Sequence, residues 1–317
     1  MDSELGRVRE LCSVLGVCAE SMDSLRAAHP VESARTTGRD GDGSLWGGTV
    51  GHEAAKVNGE YYWFEHIEPV YAELDELIRY ASPELHASVF ADDQIRALAP
   101  AIHRVRAAYE RDRELIEARN LVAAHNGRAR LANIIEQERY WALGDELRGV
   151  LGGSRRILVA GSGPLPLTAL CIGATLEVRV TCVERDAECH SLGQQLITMT
   201  RHCERFDCVN ADILDLRDFE QFDAIVGVVL LGVDTQGNKA SNKGAIARHI
   251  IAHMSPGARM LLRDPHGLGQ LLYPSLDLQS SADVRITRLV PEVGATRPYR
   301  SGLVVAERCA SDDGHAH

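Results

Sequence analysis

Between Arg156 and Thr168 the chain reads Arg-Ile-Leu-Val-Ala-Gly-Ser-Gly-Pro-Leu-Pro-Leu-Thr, an apolar run broken by a glycine turn and followed by a helix start. Ile157, Leu158 and Val159 suit a buried strand. Gly161 and Gly163 let the backbone approach a ligand closely, and the helix beyond them offers free amide groups at its N-terminus. Ser162, Pro164 and Leu165 complete the turn, which is therefore read as a ligand-binding segment. Proline is tolerated in a first helical turn because its missing N–H has no intrahelical partner there, so the helical segment at 165–174 can begin near Leu167.

The rest of the chain narrows the fold further. From about Gly152, strand-like and helix-like segments alternate: strands at 156–160, 178–183, 206–209, 223–229, 258–263, 284–289 and 302–307, with helices at 187–200 and 242–254. This alternation predicts an α/β fold, a Rossmann-like, class I methyltransferase-type doubly wound sheet with its ligand at the carboxyl ends of the strands. Residues 1–150 instead show apolar spacings of three and four, as in Glu65–Tyr80 and Ala101–Ala124, and predict an N-terminal helical domain covering the active site, with the sheet domain spanning 151–317. A stretch rich in Gly, Asp, Ser and Thr between Pro30 and Gly59 reads as a loop or lid.

A net charge of −11 without a basic stripe argues against nucleic acid and for a small-molecule partner. The eight cysteines include no CxxC pair and are expected to be structural thiols in a reducing cytoplasm. No apolar run is long enough to span a membrane, and the histidines, including His315 and His317, have no metal-ligand spacing. Composition leaves the oligomeric state open.

The strand 178–183 ends in Glu184, about 20 residues after the glycine turn, where a carboxylate can accept from both hydroxyls of a ribose. The alternative is a helix N-terminal charge. After the next strand, Ala211 and Asp212 occupy a turn in which Asp212 can accept from an adenine amino group or serve a cap or loop. These parts form the adenosine cradle of an S-adenosylmethionine-binding fold. Val159 and Ala160, however, stand where an acidic residue usually precedes the first glycine, which points away from an ordinary methyltransferase.

The turn Gly-Ser-Gly-Pro-Leu-Pro-Leu-Thr at 161–168 resembles that of the nicotianamine synthase family. The resemblance extends to Lys243–Met254 and to Arg263-Asp-Pro-His-Gly-Leu-Gly-Gln-Leu-Leu-Tyr-Pro274, similar to the family's Arg-x-x-His-Gly-x-x-x-x-Leu-Tyr-Pro block. It implies attack of an amine on the γ-carbon of S-adenosylmethionine, used as a substrate, with 5'-methylthioadenosine leaving and no metal required. It also implies a helical glutamate and a downstream tyrosine serving the amine, with Glu117 and Tyr140 as nearest counterparts. Glu114 competes with Glu117, and the charge run Glu110–Glu117 has a solvated helix face as its plainer reading.

Arg263 could pair with a substrate carboxylate or a structural partner, His266 could bind substrate or brace a loop, and Tyr273 could shape a pocket wall. The family's Phe-Pro-Tyr-Tyr-x-Asn-Tyr segment appears as Ile134-Ile-Glu-Gln-Glu-Arg-Tyr140, keeping the last tyrosine, and its late Asn-Ser-Val as Arg300-Ser-Gly302. Two outcomes therefore stay open: transfer of 3-amino-3-carboxypropyl to an amine, or cyclisation to azetidine-2-carboxylate. A conventional methyltransferase and a non-catalytic cofactor-binding module are the alternatives from other classes.

Overall fold

The computed structural model describes residues 2–28, 62–135, 147–228, 231–233, 242–281, 283–289 and 302–309. Five helices come first: α1 (Asp2–Ala28), α2 (Tyr62–Tyr80), α3 (Pro83–Ala91), α4 (Asp93–Ala123) and α5 (Gly127–Ile135). The sheet region then runs β1 (Arg156–Ala160), α6 (Leu167–Leu176), β2 (Arg179–Glu184), α7 (Ala187–Thr198), β3 (Phe206–Asn210), β4 (Ala224–Gly227), α8 (Lys243–His253), β5 (Arg259–Asp264), β6 (Val284–Leu289) and β7 (Gly302–Arg308). The proposed Pro30–Gly59 loop and Tyr140 lie outside the described residues.

The seven strands form one sheet in the order β3-β2-β1-β4-β5-β7-β6. All neighbours are parallel except β7, which runs antiparallel to both β5 and β6. This is the Rossmann-like, methyltransferase-type doubly wound arrangement. Its strand order reverses beside β1, where β1 sits between β2 and β4, and in sheets of this kind ligands bind at the carboxyl ends of the strands beside that switch point.

Strand alternation divides the sheet's two faces between two cores. Ile157, Val159, Val180, Cys182, Ala224, Val226 and Leu261 pack with residues of α4, α5, α6 and α7. Leu158, Ala160, Val183, Ile225, Met260 and Leu262 pack with Ile246, Ala247 and Ile250 of α8 and with Phe219 and Phe222. Burial on both faces explains why β1 and β4 read as continuous apolar runs.

A third core joins α1 to α4, and Leu268, Leu271, Leu272 and Tyr273 of the chain after β5 insert into it. The helix α4 spans two cores: Ile95, Ile102, Val105 and Tyr109 belong to the helical one and Ala118 and Leu121 to the sheet. Its centre therefore crosses the sheet's ligand edge.

The largest boundary difference from the sequence pattern is at α4. The helix expected over Ala101–Ala124 begins at Asp93, because Asp92 caps it by accepting from Ile95 N at 3.0 Å and Ile95 is buried; Pro100 is carried inside the helix. Within the segment 165–174 the helix begins at Leu167, where the prolines allow it: Pro166 has non-helical ψ 50° and Leu167 N donates to Leu165 O at 2.7 Å. All eight cysteines are free thiols. Among the described residues no helix is long and apolar enough to cross a membrane.

Candidate active site

The glycine turn follows β1 at the switch point. Gly161 has φ 71° and Gly163 φ 69°, a left-handed backbone that side-chain-bearing residues rarely adopt. Gly161 N and Ser162 N both donate to Val183 O, at 2.9 and 3.2 Å, which seats the turn on the end of β2. Pro164 and Leu165 are buried beneath it.

Glu184 is bound into this turn. Its Oε2 accepts from Gly163 N at 3.0 Å and its Oε1 from Asp186 N at 2.9 Å. Each carboxylate oxygen retains a second lone pair, and the side chain is only half-buried, so further donors can reach it. Ala211 N donates to Glu184 O at 3.2 Å, which brings the turn after β3 alongside. Asp212 braces its own turn: Oδ1 accepts from Leu214 N at 2.9 Å, while Oδ2, 3.8 Å from Arg185, is partly exposed.

Above these elements lies the charged centre of α4, and here the plainer reading of Glu110–Glu117 as a solvated face is overturned. Asp112 is 2 % exposed, because the helix is sandwiched between two cores at this point. Glu114 stands over the turn: a β-carbon built on Gly163 would lie 3.1 Å from its Oε2. Desolvation, with Glu110 and Glu184 nearby, pushes the Glu114 carboxyl up to about 8. Glu117, by contrast, lies 3.4 Å from Arg130 of α5. Its carboxyl is raised by burial, with Arg130 and Arg113 acting the other way. Of the two candidate glutamates, Glu114 is the one that meets the glycine turn.

The block after β5 closes the other side. Lys243, 1 % exposed, donates from Nζ to Arg263 O at 2.6 Å and to Pro274 O at 3.3 Å, and lies 3.6 Å from Asp264. Asp264 in turn accepts from Leu276 N at 2.7 Å and from Arg288 at 3.1 Å. Two sequence blocks are thus joined by one buried ammonium. Arg263 is half-buried at the end of β5, and His266 is exposed next to it. His86 of α3 faces this loop, its ring held below the usual histidine range by burial and by His266.

Tyr273 is buried, and its hydroxyl donates to Glu110 at 2.6 Å while accepting from Arg106. Arg106, Lys243 and Asp264 join the site only through the fold. For Arg106 and Asp112 a signal existed, since both fall on the helical stripe of Ile102, Val105, Tyr109 and Leu115, where apolar residues are expected. Among the described residues no group of three or more His, Cys, Asp or Glu is placed to hold a metal ion.

A family model described as nicotianamine synthase protein matches residues 89–307 of this chain. The chain belongs to the nicotianamine synthase family. That match covers the centre of α4, the glycine turn and the block after β5.

A nicotianamine synthase of Solanum lycopersicum is 31% identical over 128 residues, 39% of this chain and 38% of its own length. Nicotianamine synthase 2 of Arabidopsis thaliana is 27% identical over 163 residues, 50% of this chain and 48% of its own. The chain thus aligns with less than half the length of these two relatives. In structure, a mutant of MtNAS in complex with S-adenosylmethionine shares the fold with TM-score 0.64 and 18% identity, over 78% of this chain and 92% of that one. MtNAS in complex with MTA and tNA superposes with the same TM-score.

Proposed function

We propose that this protein transfers a 3-amino-3-carboxypropyl group from S-adenosylmethionine to an amine and releases 5'-methylthioadenosine. The observation that carries this reading is the desolvated carboxyl of Glu114 at the glycine turn, in a chain of the nicotianamine synthase family. A methyl transfer to an already nucleophilic atom needs no such base. An amine that arrives as an ammonium ion does.

In this reading the left-handed turn at Gly161–Gly163 lets the nucleoside approach the backbone, Glu184 accepts from the ribose hydroxyls and Asp212 from the adenine amino group. The Rossmann-like region, 151–317, holds the nucleoside and the helical region, 1–150, encloses the amine. Glu114 faces the reacting end. Without ligand its carboxyl keeps its proton at neutral pH; a sulfonium within a few ångströms favours the carboxylate and brings the base into its working form. Glu114 then takes a proton from the ammonium, the nitrogen lone pair forms a bond to the γ-carbon, and the carbon–sulfur electron pair leaves with the sulfur as a neutral thioether. Arg263, at the end of β5, is the candidate partner for a substrate carboxylate.

The deciding experiment incubates the purified protein with S-adenosylmethionine, alone and with candidate amino-acid acceptors, followed by mass spectrometry of the products. Methylthioadenosine is expected, together with an acceptor bearing the aminocarboxypropyl group. Azetidine-2-carboxylate from the incubation without acceptor would replace transfer by cyclisation, and S-adenosylhomocysteine would return the protein to the methyltransferases. In the same preparation, Glu184→Ala is expected to weaken S-adenosylmethionine binding by about 1–3 kcal/mol, the scale of lost charge-assisted hydrogen bonds. Calorimetry reads this, with urea unfolding beside it because the substitution also frees Gly163 N and Asp186 N. Unchanged affinity in a folded variant removes Glu184 from the ribose site.

A further inference from the structure

Arg106, Glu110 and Glu114 follow one another at four-residue intervals on α4 and so share one helix face. One oxygen of Glu110 accepts both from Arg106 Nε at 2.6 Å and from the Tyr273 hydroxyl at 2.6 Å. Arg106 closes the triangle by donating from Nη2 to the Tyr273 oxygen at 2.9 Å. Its guanidinium lies 4.7 Å from the centre of the Tyr71 ring and 3.8 Å from Asp75, both on α2.

The Arg106 and Glu110 side chains are only 9% and 15% exposed. A desolvated ion pair of this kind adds little stability over an apolar pair of the same volume. Its placement, one helical turn from Glu114 and tied to the chain after β5, gives it a different use.

We propose that Glu110 is a positioning residue: it presents a fixed negative charge one turn from Glu114, and the Arg106–Tyr273 clamp keeps that charge in place for the proton step. The inference rests on the proposed function, in which Glu114 takes the proton of the attacking amine. Among the described residues, the charged and titratable groups around the pair are Arg106 and Tyr109 on α4 itself, Tyr71 and Asp75 from α2, Tyr273 from the chain after β5, and Glu184 from the end of β2. Arg113 and Arg130 act on Glu117. Burial first, and then the neighbouring charges of Glu110 and Glu184, hold the proton on Glu114.

The test is Glu110→Gln, which removes the charge while its amide oxygen can still accept from Arg106 and Tyr273. The acidic limb of kcat/KM for methylthioadenosine release is expected to move down by about one pH unit, as for the loss of a like charge at close range. The Glu114 carboxyl, followed by 13C NMR and assigned with Glu114→Gln, should titrate lower by the same amount. An unmoved Glu114 titration in folded Glu110→Gln overturns the proposal. So does a shifted titration with an unmoved rate profile, because the charge would then not reach the proton step.

Glu110→Asp keeps the charge and withdraws it by one carbon, and it carries the test if the glutamine variant does not fold. Its kcat should fall about 10-fold with KM for S-adenosylmethionine unchanged, and a wild-type kcat counts against the proposal. A wild-type protein that releases no methylthioadenosine at all identifies a failure of the proposed function, and the inference falls with it.

Discussion

Glu114→Gln is expected to lower methylthioadenosine release by about 10²–10⁴-fold, the usual loss when a general base is removed, with little change in affinity for S-adenosylmethionine. Glutamine has the volume of glutamate and cannot take the ammonium proton. Glu117→Ala, whose carboxylate lies beside Arg130, should stay near wild type. Tyr140→Phe, measured in parallel, tests the tyrosine to which the family resemblance points. Near-wild-type turnover in Glu114→Gln, with loss in Glu117→Ala, would return the base to Glu117.

Stability supplies a second readout for the same residue. The folded Glu114 carboxyl is raised to about 8 from an ordinary value of 4.5, so the native state holds one more proton than the unfolded chain between those pH values. Its contribution therefore makes stability fall as pH rises through this window, and Glu114→Gln removes that slope. The variant should be more stable than wild type by about 1–3 kcal/mol at pH 8 and nearly equal to it at pH 4. Chemical unfolding at the two pH values measures the difference.

Lys243→Met is the substitution expected to damage the fold most, by about 3–5 kcal/mol, because it removes one partner of a buried pair and leaves the other charged. The Arg263 and Pro274 carbonyls lose the Lys243 donor, and among the described residues Asp264 keeps its ion pair with Arg288. Burial lowers the Lys243 ammonium to about 8 from 10.5. Between those values the unfolded chain binds the extra proton, so this residue makes wild-type stability rise with pH, and the methionine variant lacks that rise. Guanidinium unfolding at pH 7.5 and pH 10 measures both effects. A loss below about 1 kcal/mol would falsify the view that Lys243 joins the two blocks.

Much of the molecule is legible along the chain. The apolar runs of β1 and β4, the glycine turn and the carboxylate at the end of β2 are local patterns, since a strand buried on both faces must be apolar throughout and a left-handed turn favours glycine. They specify the doubly wound sheet and its ligand edge, and the family-like blocks identify the family. The charge run of α4 is different. Glu110, Glu114 and Glu117 are chemically alike and within two helical turns, and periodicity alone makes them an exposed face. Only the packing of α4 across two cores separates them, placing Glu114 over Gly163, Glu110 under Tyr273 and Glu117 beside Arg130. The partners lie 49, 163 and 13 residues away along the chain, and the join between Lys243 and Arg263 crosses from α8 to β5 in the same way. Sequence determines which residues can be buried or turned; which carboxyl loses its water, and so becomes a candidate base, is decided by the elements that close over it.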